Sequence, residues 1–288
     1  MPGFPKPAPA ASKSVLERWT TDMAREDGLA VDRVRRGISF MVVSAVLTQL
    51  IDTRGVPLFI LKGGVAMELR FGMRARTSKD YDTAFREDLQ NLEAVLELAR
   101  RHPVGQFVVT AGPSEPIGTT GSLRTPLRIT YGPRPWATVK LEASRAEGGS
   151  GDPAEIDYRA PVPDLSVFGF EAQSDVPCLP VRYQIAQKIH ACTEVLPDRD
   201  NDRFRDLIDL LLLAELVADD EWPAVRAACV EVFSLRRKQA WPPTVTVYPG
   251  WPEAYSVLAT ETEFSITDVT TAAAAVHSMV ARIDSNAP

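Results

Sequence analysis

The stretch Leu58 to Asp82, LFILKGGVAMELRFGMRARTSKDYD, restricts the architecture more than any other part of the chain. It opens on Leu58-Phe59-Ile60-Leu61, a short unbroken apolar run of the kind that forms a strand buried on both faces. Lys62-Gly63-Gly64 ends the run abruptly, and Val65 to Phe71 reads as a short helix starting at the glycines. A return strand is predicted over Thr77 to Phe85, where Tyr81 and Thr83 favour extended backbone. It carries Asp80-Tyr81-Asp82, and residues i and i+2 of a strand project from one face. Glycine lets the backbone approach a bulky anion, and the first N–H groups of a helix attract phosphate. Two carboxylates beside such a cradle suit Mg²⁺ bridging protein and triphosphate oxygens.

A third carboxylate is available at Glu142. In the strand predicted over Ala137 to Ser144, Val139 and Leu141 point to one side and Lys140 and Glu142 to the other. If that strand lies beside the Asp80 strand, Glu142 completes a metal-binding triad. Further strands are expected at Gln106 to Thr110 and Pro126 to Gly132. Helical periodicity runs from Ser14 to Ile51, where Val15, Trp19 and Met23 recur at i+4. Asp88 is placed to cap a helix over LQNLEAVLELARR. After about Val176 the pattern turns helical, with segments at 181–196, 202–217, 221–235 and 267–283. WPPTVTVYPGWP, residues 241–252, reads as a connector, and 145–165 as a loop or boundary rich in Gly, Pro and Asp. The expected organisation is a lead-in without fixed structure (1–13), an α+β domain with N-terminal helices (14–165) and a helical C-terminal domain (166–288).

Composition excludes several alternatives. With 32 Lys and Arg against 38 Asp and Glu among 288 residues, the formal charge is −6. The chain therefore does not hold nucleic acid by bulk positive charge, although a local basic patch remains open to it. Cys178, Cys192 and Cys229 make no CxxC or zinc spacing, and their odd number argues against a disulfide scaffold. A reducing, cytoplasmic setting is the default. The longest apolar segments, Phe40 to Ile51 and Leu207 to Ala218, fall short of the roughly 20 residues a membrane span needs. The N-terminus has no apolar stretch of signal-peptide length.

The order Gly-Gly, Asp-x-Asp, later acid resembles the nucleotidyltransferase superfamily of the polymerase-β type. Lys62-Gly63-Gly64, Glu68-Leu69-Arg70, Arg76 to Asp82, Gln184 to Ala191 and Arg205-Asp206-Leu207-Ile208-Asp209-Leu210 together resemble the AbiEii/AbiGii toxin family, and within it the MenT toxins. The resemblance implies a polymerase-β-like mixed sheet with flanking helices, and a toxin of a two-gene system with a cognate antitoxin. It implies transfer of a nucleoside monophosphate from NTP, a pyrimidine one with CTP foremost, to the 3′ end of tRNA, blocking aminoacylation and translation. Gly63 and Gly64 then hold the triphosphate, with Lys62, Ser78, Lys79 and Lys188 as further nucleotide contacts. Asp80 and Asp82, joined by Glu142 from the strand pattern, take two Mg²⁺. Asp80, Lys188 and Asp209 carry the catalysis. Ser78, two residues before Asp80, is a candidate regulatory position, because a phosphate there adds negative charge where nucleotide phosphates enter.

Each feature has a plainer reading. The diglycine alone is a turn, the acidic pair alone a solvated strand face, and Lys188 alone a snorkelling helix residue. Asp206 alone is a helix-dipole partner. Asp209, amid leucines, requires a partner, since an unpaired buried carboxylate is costly. His190 reads as a hydrogen-bonded structural residue. Arg70, Arg74, Arg76 and Lys79 would suit tRNA phosphates if they form one patch. Trp241 and Trp251 read as core anchors. The competing functions are the same transfer to a small-molecule hydroxyl, and a non-catalytic nucleotide- or partner-binding module.

Overall fold

The computed structural model describes residues 4–118 and 121–286. They form two compact units. The first comprises residues 4–70, 77–118, 121–146 and 156–178, and the second residues 71–76, 147–155 and 179–286.

The first unit begins with α1 (Lys13–Glu26) and α2 (Val31–Thr48). The helical periodicity seen from Ser14 onward is broken at Gly28, which has φ of +67°. Strand β1 (Phe59–Leu61) is buried at all three residues, as its apolar run predicts. Helix α3 (Gly63–Phe71) follows at once. Strand β2 (Tyr81–Phe85) is shorter than the predicted 77–85, so Asp80 stands just before it rather than within it. The expected long helix after Asp88 is only α4 (Leu92–Glu97), flanked by 3₁₀ turns. Strands β3 (Phe107–Ala111), β4 (Glu115–Ile117), β5 (Ser122–Tyr131) and β6 (Arg134–Arg145) form a run of antiparallel neighbours. Strands β7 (Asp157–Arg159) and β8 (Val176–Cys178) lie in segments without strand periodicity, and sequence reading misses them.

The sheet runs in the order β3-β5-β6-β2-β1-β8-β7, with β4 on β5. It is mixed: β2 pairs parallel to β6 and β1 parallel to β8, whereas β1 and β2 are antiparallel. Along β6 the inward residues Trp136, Val139, Leu141 and Ala143 are buried, while Lys140 is exposed and Glu142 half-buried, so the predicted alternation holds. Phe107, Tyr131, Trp136 and Phe170 pack ring against ring in the core, favoured geometries that add to their area burial.

The expected unstructured lead-in is corrected in its described part. Phe4 packs edge-on to Phe168, the Lys6 N–H donates to the Val167 carbonyl at 2.9 Å, and Ala10 is fully buried. The Tyr131 hydroxyl and the Gln106 amide both donate to the Ala10 carbonyl. A segment rich in Pro and Ala has weak local periodicity, and these long-range partners are what hold it.

The second unit contains α5 (Val181–Thr193), α6 (Arg205–Ala214), α7 (Trp222–Arg236), α8 (Trp251–Glu261) and α9 (Val269–Ser285). Four of these match the predicted helical segments. Helix α8 emerges from the end of the expected connector, with Pro252 tolerated in its first turn because its missing N–H would be unpaired there anyway. Trp251 is nearly fully buried and its indole N–H donates to the Asn201 carbonyl at 2.5 Å. Trp241 donates to Asp284 Oδ1 at 2.9 Å and packs edge-on to Phe233. All three cysteines are free and buried, and burial pushes the Cys178 thiol up to about 12. No helix among the described residues is long and apolar enough to cross a membrane.

Candidate active site

The diglycine turn and Asp82 meet in the first unit. Gly63 has φ of +65°, a conformation glycine adopts at little cost. A Cβ built on it would lie 2.0 Å from Asp82 Oδ2 and 2.8 Å from its Cγ. The missing side chain is thus the space the Asp82 carboxylate fills. The Lys62 N–H donates to the Asp82 carbonyl at 2.9 Å, tying turn to strand, and Lys62 Nζ donates to Ser144 Oγ at 2.7 Å. Gly64 is buried in the first turn of α3.

Strand register brings in the third acid. Asp82 is opposite Glu142 in the parallel β2–β6 pair, as the triad requires. Glu142 is in turn opposite Arg124 in the β5–β6 pair. Arg124 Nε and Nη2 donate to Glu142 Oε1 at 3.0 and 2.5 Å. The Glu142 carboxylate, followed by the charge of Asp80, holds the Arg124 guanidinium above its ordinary pKa. Arg124 carries no signal in its own sequence neighbourhood that marks it for the site. Its partner is fixed by strand order.

Asp80 is half-buried at the mouth of β2. Its backbone carbonyl accepts from the Ser78 hydroxyl at 2.9 Å. Ser78 is only 5% exposed: its N–H donates to Glu68 Oε1 at 2.7 Å and its carbonyl accepts from Arg36 at 3.3 Å. Lys79 is exposed.

The donor set fits a cation shared with a substrate. Among the described residues no three His, Cys, Asp or Glu side chains converge to hold a metal alone. Mg²⁺ commonly takes one or two protein carboxylates and fills its octahedron with phosphate oxygens and water. Asp82, seated in the Gly63 cradle, and Asp80, beside it in sequence, match that mode, with Glu142 in the adjoining register.

The remaining predicted residues lie in the second unit, where they form a buried charge network. Lys188 Nζ donates to Asp206 Oδ1 at 2.7 Å and to Asp209 Oδ2 at 2.6 Å. Arg76 Nη2 adds a contact to Asp209 Oδ2 at 3.3 Å. Burial disfavours the Lys188 ammonium, but the charges of Asp206 and Asp209 outweigh it and raise the pKa. For Asp206 burial pushes the pKa up, and the Lys188 charge overrides it to leave the group below its ordinary value. Asp209 has the partner its leucine-rich setting demanded. Asp206, read from sequence as a dipole partner, is a full member of the network. Lys188 is not a free point charge in this arrangement, since two carboxylates already share it.

The expected basic patch over residues 70–79 is not a single patch. Arg70, its side chain fully buried, pairs with Asp157 at 2.9 Å. Arg74 is bidentate on Glu215 and Arg76 is committed to Asp209. Local charge counting does not see carboxylates that arrive from distant sequence. His190 is also corrected: among the described residues neither ring nitrogen has a hydrogen-bond partner, Glu194 Oε2 lies 3.9 Å from Nδ1, and the ring packs edge-on to Phe233.

A mixed sheet with a Gly-Gly turn before the helix and acids on adjoining strands defines the class as a nucleotidyltransferase fold. The structure is similar to MenT4, a nucleotidyltransferase toxin from Mycobacterium tuberculosis H37Rv, with a TM-score of 0.52 at 17% identity over 96% of this chain and 98% of that one. A solved structure of the antibiotic-resistance factor ANT(2'')-Ia matches with a TM-score of 0.38 at 16% identity, over 69% of this chain and 95% of that one. No curated protein matches the sequence. The family model described as "Nucleotidyl transferase AbiEii toxin, Type IV TA system" matches residues 45–279. The chain belongs to the AbiEii nucleotidyltransferase toxin family of type IV toxin–antitoxin systems, in which such a toxin has an antitoxin partner.

Proposed function

We propose that this toxin transfers a nucleoside monophosphate from an NTP, a pyrimidine nucleotide with CTP foremost, to the 3′-hydroxyl of tRNA, and so blocks aminoacylation and translation. The observation that carries the reading is the seating of Asp82 against Gly63, with Glu142 in the neighbouring register. It joins an anion cradle to carboxylates in the manner Mg²⁺-dependent phosphoryl chemistry needs.

In this reading the 3′-oxygen attacks the α-phosphorus in line, the bond from that phosphorus to the bridging oxygen breaks, and pyrophosphate leaves. Gly63, Gly64 and Lys62 hold the triphosphate, and the exposed Lys79 adds a cation at the entrance. The Asp80 carboxylate, which accepts no side-chain hydrogen bond among the described residues, takes the hydroxyl proton. Asp82, Asp80 and Glu142 would hold Mg²⁺, which when bound stabilises the charge on attacking and leaving oxygens. Lys188 and Asp209 carry a further catalytic role as a unit with Asp206, the two carboxylates orienting the ammonium between them. Ser78 is the regulatory position; its burial means that a modifying enzyme must first open the 77–80 segment.

The test is incubation with total tRNA and each α-labelled NTP in turn, with and without Mg²⁺. Label on tRNA that needs Mg²⁺ and is lost in Asp80→Ala supports the reading. Label on a small hydroxyl acceptor and none on tRNA overturns the choice of acceptor. A toxic, active Asp80→Ala variant overturns the role of the acids.

A further inference from the structure

Side chains from four neighbouring strands form a charged row at the acidic end of the sheet. Glu115 on β4 is opposite Arg124 on β5, Arg124 opposite Glu142 on β6, and Glu142 opposite Asp82 on β2. The guanidinium therefore stands between carboxylates on both sides, and the charges of Asp80 and Glu115 act on it as well as that of Glu142. Its Nε and Nη2 both donate to the same oxygen, Glu142 Oε1. The Arg124 side chain is 47% exposed and that of Glu142 23%, so the cation sits on the solvent side of the acid it neutralises.

Carboxylates gathered in adjoining registers repel one another unless a positive charge is present. We propose that Arg124 is the built-in counter-cation of the acidic site: it holds Glu142 while no divalent ion is bound, and a divalent ion must take over that charge when it enters. This inference rests on the reading of Asp80, Asp82 and Glu142 as cation ligands. Arg124 is a positioning residue, acting through Glu142. Half-exposed, it can release the carboxylate and turn to water at little cost, because exposed pairs are weakly held. Its presence keeps the empty site folded in register, and it makes the empty site bind a lone divalent ion less tightly than the acids alone would.

The experiment uses the full chain without NTP or tRNA and measures Mn²⁺ binding by electron paramagnetic resonance, with thermal melting in parallel. Wild-type protein should bind Mn²⁺ in a manner lost in Asp82→Asn. Arg124→Gln should bind it about five- to thirtyfold more tightly, the effect of removing one unit charge about 4–8 Å from a divalent ion in a high effective dielectric. Arg124→Lys, which keeps the charge, should stay within about twofold of wild type. Arg124→Gln should also melt lower than wild type without the ion and recover when Mn²⁺ is added. Unchanged or weaker Mn²⁺ binding in Arg124→Gln, or equal tightening in Arg124→Lys, overturns the inference alone. If Arg124→Gln is poorly folded without the ion, recovery with Mn²⁺ supports the inference and indifference to Mn²⁺ overturns it. Absence of any Asp82-dependent Mn²⁺ binding in the wild type overturns the cation reading and the inference with it.

Discussion

Gly63 and Asp82 share a space too small for one methyl group: a Cβ at residue 63 would lie 2.0 Å from Asp82 Oδ2. The positive φ at Gly63 adds a second objection to any other residue. Gly63→Ala should therefore displace the carboxylate and strain the turn. The expected result is a loss of nucleotide transfer on the order of a hundredfold, since misplacing a reacting group by about 1 Å has effects of that size. Stability should fall by only about 1–2 kcal/mol. Labelled transfer and a melting curve on the same preparation check both, and near-normal transfer would contradict the geometry.

Lys188 is held between two buried carboxylates, so removing it alone leaves Asp206 without its salt-bridge partner and Asp209 with only the Arg76 contact at 3.3 Å. Lys188→Met should cost about 3–5 kcal/mol of stability, a range typical of broken buried ion pairs. The triple change Lys188→Met, Asp206→Leu, Asp209→Leu should recover much of that loss, although Arg76 then lacks its Asp209 contact. Activity should be absent in both. Denaturant unfolding of the two proteins tests this, and a Lys188→Met variant as stable as wild type would refute the network.

His190 is fully buried, and burial, followed by the Arg236 charge, lowers its pKa to about 4. The unfolded chain binds this proton near pH 6.5, so between about 6.5 and 4 the unfolded state is the more protonated. The contribution of this group to stability is complete above pH 6.5 and is lost as pH falls toward 4, by up to about 3 kcal/mol. Replacing His190 with Phe should flatten that part of the stability–pH curve. A curve of unchanged slope would show that another group titrates there.

Ser78 is buried with its hydroxyl on the Asp80 carbonyl. Ser78→Ala forfeits one hydrogen bond, about 1 kcal/mol, and should keep most transfer activity. Ser78→Glu introduces a charge beside Asp80 and Glu68, and should silence transfer. A fully active Ser78→Glu protein would remove Ser78 from the regulatory proposal.

The features that the sequence determined are those set by covalent geometry within a few residues. The buried run before Gly63, the helix after it, and the alternation that turns Lys140 and Glu142 outward follow from strand and helix periods of 2 and 3.6 residues. So does the closeness of Asp80 to Asp82 along the chain. Tertiary structure decided the partners. Arg124 meets Glu142 because β5 and β6 pair in one register, and Asp82 meets Glu142 because β2 joins β6 in parallel. Arg74 and Arg76 lose their freedom to Glu215 and Asp209, each more than 130 residues away in sequence. Periodicity says which way a side chain points. It does not say which distant charge waits there, because strand order and helix docking are set by how whole apolar faces bury one another.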